Sequence, residues 1–283
     1  MSFVPMSELT GPAYREGYAV PGFCAWNAEA MEAILMTATR LHAPVILMSG
    51  PGEFPVMAPT TMAAVAYAVK QRYDTPAALH LDHGDSLEMV RQCIDARYTS
   101  VMLDFSTRPF DENASALRTV VGMARPLGIT VEGELGKIGK ADEATSEGSA
   151  RSAYTDPREA VRYVRESGVD LLAVSIGNKH GFYKGTPHLE FDLLSALHAA
   201  VPVPLVMHGG TGIPEKDIQR SVGLGIAKVN VASELVHGVR VSLTSQWKEG
   251  RNLWTPMAFG EAVKVLGPVV EKWLHITGAA GKA

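Results

Sequence analysis

Three histidines in this chain stand where residue type and setting could support metal chemistry. His83 closes the run HLDH (80–83), His180 lies in GNKHG (177–181) and His208 opens HGGTG (208–212). Each follows an apolar run and has a glycine or a carboxylate beside it. One such histidine is ordinarily a packing residue, but three at the ends of the third, sixth and seventh strand-like runs make a ligand set. Catalytic zinc commonly takes three protein ligands, for which neutral imidazoles are well suited, and keeps a fourth position for water or substrate. Glycine supplies a second constellation. Gly181 follows one histidine, Gly209 and Gly210 follow another, and Asn230 to Ser233 close a further apolar run. Backbone N–H groups near a helix N-terminus bind phosphate, so these turns predict a cradle for a small phosphorylated ligand. His42, His188, His198, His237 and His275 fall in helix-like or loop segments and read as surface or packing residues.

The elements that must position these side chains alternate along the chain. Strand-like runs occupy 18–27, 44–50, 77–83, 100–106, 130–136, 171–178, 204–210 and 226–233. Most are continuously apolar in their first half, as strands covered on both faces are. Helical periods lie between them. The segment 28–42 starts behind Asn27 as N-cap; the segment 156–168 has Asp156 as cap, Pro157 at the first helical position and Gly168 as its stop. Eight strands alternating with helices predict an α/β protein, a (β/α)8 TIM barrel forming one domain over 1–283. A doubly wound open sheet is the competing fold, and no GxGxxG follows the first strand to favour it. In a barrel the chemistry gathers at the C-terminal strand ends, which here read HLDH, LDFS, VEGELG, GNKHG, HGGTG and NVAS. The polar stretch around 137–155, after the fifth strand, reads as a mobile active-site loop.

Composition narrows the partners. With a net charge of −4 and a pI near 6.1, the chain has no basic stripe for nucleic acid or an anionic membrane surface. The N-terminus lacks the pattern of a secretory signal, no apolar run approaches a bilayer span, and the two cysteines, Cys24 and Cys93, make no disulfide framework. A cytoplasmic protein is the expectation.

The strand-end motifs, with KVNVASE at 228–234 added, resemble the class II, metal-dependent fructose- and tagatose-bisphosphate aldolases from about residue 7 to the C-terminus. NVAS carries alanine at 232, where the fructose-specific branch typically has aspartate, so the likeness is greatest to the tagatose-bisphosphate enzymes. The resemblance implies a zinc-dependent aldehyde-lyase of carbohydrate metabolism. It would reversibly cleave a ketose 1,6-bisphosphate, through a zinc-stabilised enediolate, to dihydroxyacetone phosphate and an aldehyde such as glyceraldehyde 3-phosphate. By position His83, His180 and His208 match the zinc ligands, Asp82 matches the acid/base at the C4 oxygen, and Asp104 and Glu134 match carboxylates that hold a second divalent metal in some relatives. Gly181, Gly209, Gly210, Thr211, Asn230, Ala232 and Ser233 match the seat of the substrate phosphate, beside which a monovalent cation (Na⁺ or K⁺) is a family habit. Asp142 and Glu143 match the loop that supplies the base for the α-proton. A homodimer or homotetramer is the implied assembly.

Three departures stand out. Cys24 follows Phe23 where relatives usually have asparagine; the acidic loop reads ADE at 141–143; and no arginine follows Arg251 to clamp a distal phosphate. The distal anion could bind at the SGPG turn of 49–52 or be absent, so a ketose 1-phosphate or a sugar with another distal group is an alternative substrate. Other readings are a metallohydrolase, a Schiff-base aldolase using Lys179 or Lys228, and a non-catalytic accessory barrel. The hydrolase needs no phosphate cradle, and neither lysine is well placed at a strand end.

Overall fold

In the computed structural model, which describes residues 2–139, 154–252 and 254–283, eight parallel strands close into a barrel in the order β1 to β8. The elements run α1 (Met6–Glu16), β1 (Val20–Cys24), α2 (Ala28–Arg40), β2 (Val45–Ser49), α3 (Pro59–Lys70), β3 (Ala77–Gly84), α4 (Leu87–Asp95), β4 (Ser100–Leu103), α5 (Phe110–Ala124) and β5 (Thr130–Leu135). They continue with α6 (Pro157–Ser167), β6 (Leu171–Val174), α7 (Phe191–Ala200), β7 (Leu205–Met207), α8 (Glu215–Gly223), β8 (Ile226–Val231), α9 (Ser233–Lys248), α10 (Thr255–Ala262) and α11 (Leu266–Ile276). The expected (β/α)8 barrel is therefore present. The loop expected around 137–155 falls mostly at 140–153, with Asp142 and Glu143, and these residues lie outside the described ones.

Local chemistry explains the helix starts. Asn27 accepts the N–H of Ala30 at 2.9 Å, and Asp156 accepts those of Arg158 and Glu159, so both expected N-caps satisfy donors that have no intrahelical partner. One helix went unread in the sequence. α1 closes the N-terminal end of the barrel: Ser7 donates its N–H to Thr130 Oγ1 at the start of β5, and Val4 donates to the carbonyl of Ala77 at the start of β3. Its Met6, Leu9 and Ala13 are buried against the strand beginnings.

The strands end earlier than their apolar runs suggest. β4 stops at Leu103, β6 at Val174 and β7 at Met207. Beyond these points polar side chains take over the backbone groups of the ladder. Asp104 accepts the N–H of Ser106, while Asn178 accepts that of Ile176 and donates to the carbonyl of His208. Asp104, His180 and His208 thus stand on loop backbone at one rim, pinned by their neighbours.

Behind that rim Asn113 of α5 donates to the carbonyl of Glu134 at 3.0 Å and accepts the Tyr163 hydroxyl at 2.9 Å, all buried. Asn113→Ala leaves both partners unsatisfied, so we expect a loss of about 2 kcal/mol, seen as a melting point lower by about 5 °C in calorimetry. An unchanged midpoint would mean that solvent reaches these groups.

Candidate active site

β3 delivers two residues to the site that a regular strand would place on opposite faces. His83 has φ 48°, in the left-handed region unusual for any residue but glycine, and the β3–β4 register shifts between Leu81 and Gly84. The kink turns Asp82 and His83 into the same space. Gly50 makes room for it: a Cβ there would lie 2.2 Å from the Asp82 carbonyl oxygen. Asp82 Oδ1 then accepts Asn230 Nδ2 from β8 at 2.9 Å. Across the barrel Gly209 has φ 68°, and a Cβ on it would meet the Lys179 carbonyl at 2.0 Å. The loops after β6 and β7 therefore close on each other at a glycine no other residue can replace.

The three histidines converge. Ring centroids are 4.6 Å apart for His83 and His208, 4.9 Å for His83 and His180, and 5.8 Å for His180 and His208. One donor nitrogen from each lies within 4.8 Å of the others, and donor atoms of His83, Asp104 and Glu134 meet the same limit. Carboxylates orient two of the rings. His83 Nδ1 is 2.7 Å from Asp104 Oδ2, and His208 Nε2 is 2.8 Å from Glu132 Oε1. Binding the far nitrogen in this way fixes the tautomer and leaves the other one for a ligand.

Electrostatics show a site that seeks positive charge. Burial opposes protonation of His208, but its contacts with Glu132 and Glu134 outweigh that and push its pKa up to about 10. Burial, with His208 and His83 as positive neighbours, lowers His180 to about 3, leaving a neutral imidazole. Asp82 is half-buried at the cavity wall, which alone would raise its pKa, yet His83, His208 and Lys228 hold it below the usual carboxylate range. His180 Nε2 is buried without a hydrogen-bond partner, and His208 Nδ1 and Glu134 Oε2, also buried, face each other at 3.3 Å without forming one. Buried polar atoms are rarely left so. A divalent cation among three imidazoles and a carboxylate would partner all of them, so the residues fit a metal of the zinc class.

Beside this centre lies a cavity of about 310 Å³. Asp82, His83 and His180 form one wall, and Gly181, Gly209, Thr211, Asn230, Ala232 and Ser233 form the cradle. Ser233 begins α9, so the cradle stands at a helix N-terminus. Gly210 is behind it, packed where a Cβ would come within 2.8 Å of Val229 Cγ1. The chain matches the model of the family described as fructose-bisphosphate aldolase class-II over residues 4–282. It belongs to that family. Among solved structures it is similar to the YdjI aldolase from Escherichia coli K12, at 30% identity and TM-score 0.89, with 100% of both chains covered. It also shares the fold of the fructose-bisphosphate aldolase (Fba) from Campylobacter jejuni, at 21% identity and TM-score 0.82, over 98% of this chain and 95% of the other.

Several residues of this class II chain take parts that the sequence did not assign to them. His80, wholly buried, lies with its Nδ1 2.8 Å from Ser100 Oγ, and its Nε2 is 3.8 Å from Glu132. Lys228 Nζ is 2.9 Å from Glu132 Oε2 and has no exposed surface, so it is an ion-pair partner beneath the histidines rather than a nucleophile facing the cavity. Glu132 and Glu134 share one strand face by their spacing of two, a signal the sequence did carry. The Tyr183 hydroxyl binds both the N–H and the carbonyl of Lys179, bracing the loop that carries His180. Glu53 lines the cavity too, with Oε2 accepting the Gly50 N–H at 2.8 Å and Oε1 3.4 Å from Cys24 Sγ. Burial, and after it the Glu53 charge, pushes the Cys24 thiol well above its ordinary pKa, so it stays protonated and donates. The SGPG turn, considered above as a seat for a distal anion, already has its Gly50 N–H bound to this carboxylate.

The orienting role of Asp104 can be measured. Asp104→Ala should weaken Zn²⁺ affinity by about 10–100-fold, read by competition with a chromophoric chelator. Unchanged affinity would remove His83 from the ligand set.

Proposed function

We propose that this chain is a class II aldolase in the full sense, an aldehyde-lyase that reversibly cleaves a ketose phosphate to dihydroxyacetone phosphate and an aldehyde. The observation that supports this most is the convergence of three imidazoles, two of which, His83 and His180, line one cavity together with Asp82 and a glycine-rich cradle.

Each part has a task. The cradle residues Gly181, Gly209, Thr211, Asn230, Ala232 and Ser233 hold the phosphate of the triose half, where α9 adds its N-terminal dipole. His83, His180 and His208 would hold a zinc ion, and His83, Asp104 and Glu134 could hold a second divalent ion as in some relatives; such a metal would supply Lewis acidity for the ketose carbonyl. Asp82, kept ionised by its cationic neighbours and aligned by Asn230, accepts the proton of the C4 hydroxyl. The C3–C4 bond then breaks, C4 leaves as the aldehyde carbonyl, and the electron pair remains on C3 of the triose. A carboxylate must return a proton to C3, and Asp142 and Glu143 are the residues we assign to that step by family position. Thr107, Lys137 and Gly139 line a second depression on the other flank of His83 and His180, next to the chain that leads to them.

A homo-oligomer fits the surface as well as the family. Val236 and Trp247 on α9 are exposed and line one groove with the exposed Val56. Exposed apolar residues that share a groove commonly mark contacts between subunits. Among the described residues no helix is long and apolar enough to cross a membrane.

Metal removal tests the core of the proposal. Chelation should abolish triose phosphate release while circular dichroism keeps its barrel signature, and Zn²⁺ should restore activity. Full turnover in protein shown metal-free by elemental analysis would overturn it, as would a lysine adduct trapped by borohydride.

Asp82→Ala separates carbon–carbon cleavage from the chemistry at C3. Cleavage should fall by about 10²–10⁴-fold, the usual worth of a general acid–base. Exchange of the α-hydrogen of dihydroxyacetone phosphate with solvent should fall far less. Equal losses in both would assign Asp82 to metal or triose binding instead.

A further inference from the structure

Three groups of residues line the cavity: the cradle on the loops after β6, β7 and β8; Asp82 with His83 and His180; and Cys24, Ser49, Gly50, Gly52 and Glu53 at the ends of β1 and β2. The last group adjoins Asp82, because the Gly50 backbone packs against the Asp82 carbonyl. On the aldolase reading, with the triose phosphate in the cradle and the C4 oxygen at Asp82, the rest of the sugar extends over Glu53.

The group around Glu53 is built against a second phosphate. No lysine or arginine lines the cavity among the described residues. The backbone N–H that a turn such as SGPG would offer an anion, that of Gly50, is bonded to the chain's own Glu53 carboxylate at 2.8 Å. Cys24 donates to the other oxygen of the same carboxylate. Glu53 thus occupies the anion position of the turn and holds a negative charge there. Arg240 stands past it, in an adjoining groove that shares Gly52 and Glu53 as walls, with its guanidinium against His237 Nδ1 at 3.1 Å. Lys137 belongs to the depression on the other flank of His83 and His180, whose walls do not include Asp82. A carboxylate with one neutral donor and one backbone N–H still has lone pairs to offer, and hydroxyl groups are their natural partners.

We infer that Glu53 determines specificity at the distal end, accepting hydroxyls of an uncharged polyol tail and turning away a terminal phosphate, so that the substrate class is a ketose 1-phosphate rather than a 1,6-bisphosphate. This rests on the aldolase reading above.

The test uses zinc-loaded enzyme in the condensation direction, with dihydroxyacetone phosphate and either D-glyceraldehyde or D-glyceraldehyde 3-phosphate. Cleavage of tagatose and fructose 1-phosphates is compared with that of their 1,6-bisphosphates. Every rate is divided by the same variant's rate of α-hydrogen exchange in dihydroxyacetone phosphate, so that a general loss of activity cancels. The wild type should favour the unphosphorylated aldehyde by at least tenfold in kcat/KM, chiefly through KM. Glu53→Gln keeps an acceptor for the Gly50 N–H and removes the charge; it should shrink that preference tenfold or more. Glu53→Ala, as a second variant, should do the same if the glutamine amide rearranges the turn. A wild-type preference for the phosphorylated aldehyde that Arg240→Ala abolishes would overturn the inference and make Arg240 the clamp. A ratio unmoved in both Glu53 variants would overturn it as well. Wild-type enzyme that neither exchanges the α-hydrogen nor cleaves any ketose phosphate would overturn the aldolase reading itself.

Discussion

At the centre of the barrel, out of reach of solvent, one carboxylate holds cations from two other strands. Glu132 on β5 places Oε1 2.8 Å from His208 Nε2, beyond β7, and Oε2 2.9 Å from Lys228 Nζ on β8. Taking such groups out of water costs several kcal/mol per ion, and the cost is offset only where every charge finds a partner. The arrangement therefore tolerates little change: loss of Glu132 or of Lys228 strands a buried charge. Because Glu132 takes Nε2, His208 must turn Nδ1 toward the rim, and because it takes Lys228, that lysine is held in an ion pair and not presented for Schiff-base chemistry. A metal at the rim would rest on this buried network. The same carboxylate lowers the number of ways the inner rings can be arranged, which is what a ligand set needs before its ion arrives.

The rim shows the complementary strategy of strained or crowded backbone held by packing. His83 in its left-handed conformation costs energy that an ordinary strand would not spend. What it provides is geometric. Asp82 and His83, adjacent in sequence, reach one cavity, with Asp104 fixing the second and Asn230 the first. Gly50 and Gly209 allow the neighbouring loops to approach within distances that any Cβ would forbid. The closeness of the acid/base candidate to the ligand set thus depends on contacts from β2, β4 and β8 as much as on β3.

Charge along the cavity is unequal. The cradle stands at a helix N-terminus with no cationic side chain among the described residues, while the turn after β2 carries the Glu53 carboxylate. On the proposed function, a ligand with one phosphate would be oriented by that difference, its anionic end in the cradle and its neutral end toward Glu53. Orientation by charge would then set the reacting carbons near Asp82 without requiring contacts to every hydroxyl of the sugar.

The alternation of apolar runs and helical periods pointed to parallel strands alternating with helices, because strands covered on both faces must be apolar and because Asn27 and Asp156 cap helices by purely local hydrogen bonds. Closure into a barrel was decided by the pairing of β1 with β8. The sequence also carried the three histidines, Asp82 and the glycine turns, since residues at C-terminal strand ends meet at one rim whatever the detailed packing. It could not show where each strand stops, for β4, β6 and β7 end where Asp104, Asn178 and their neighbours capture backbone groups through contacts that exist only in the fold. Nor could it reveal that Lys228 and His80 serve Glu132, or that Glu53 folds back on Gly50. Those are pairings of charge across the barrel or around a turn, decided by which buried groups can reach a partner once the strands have closed.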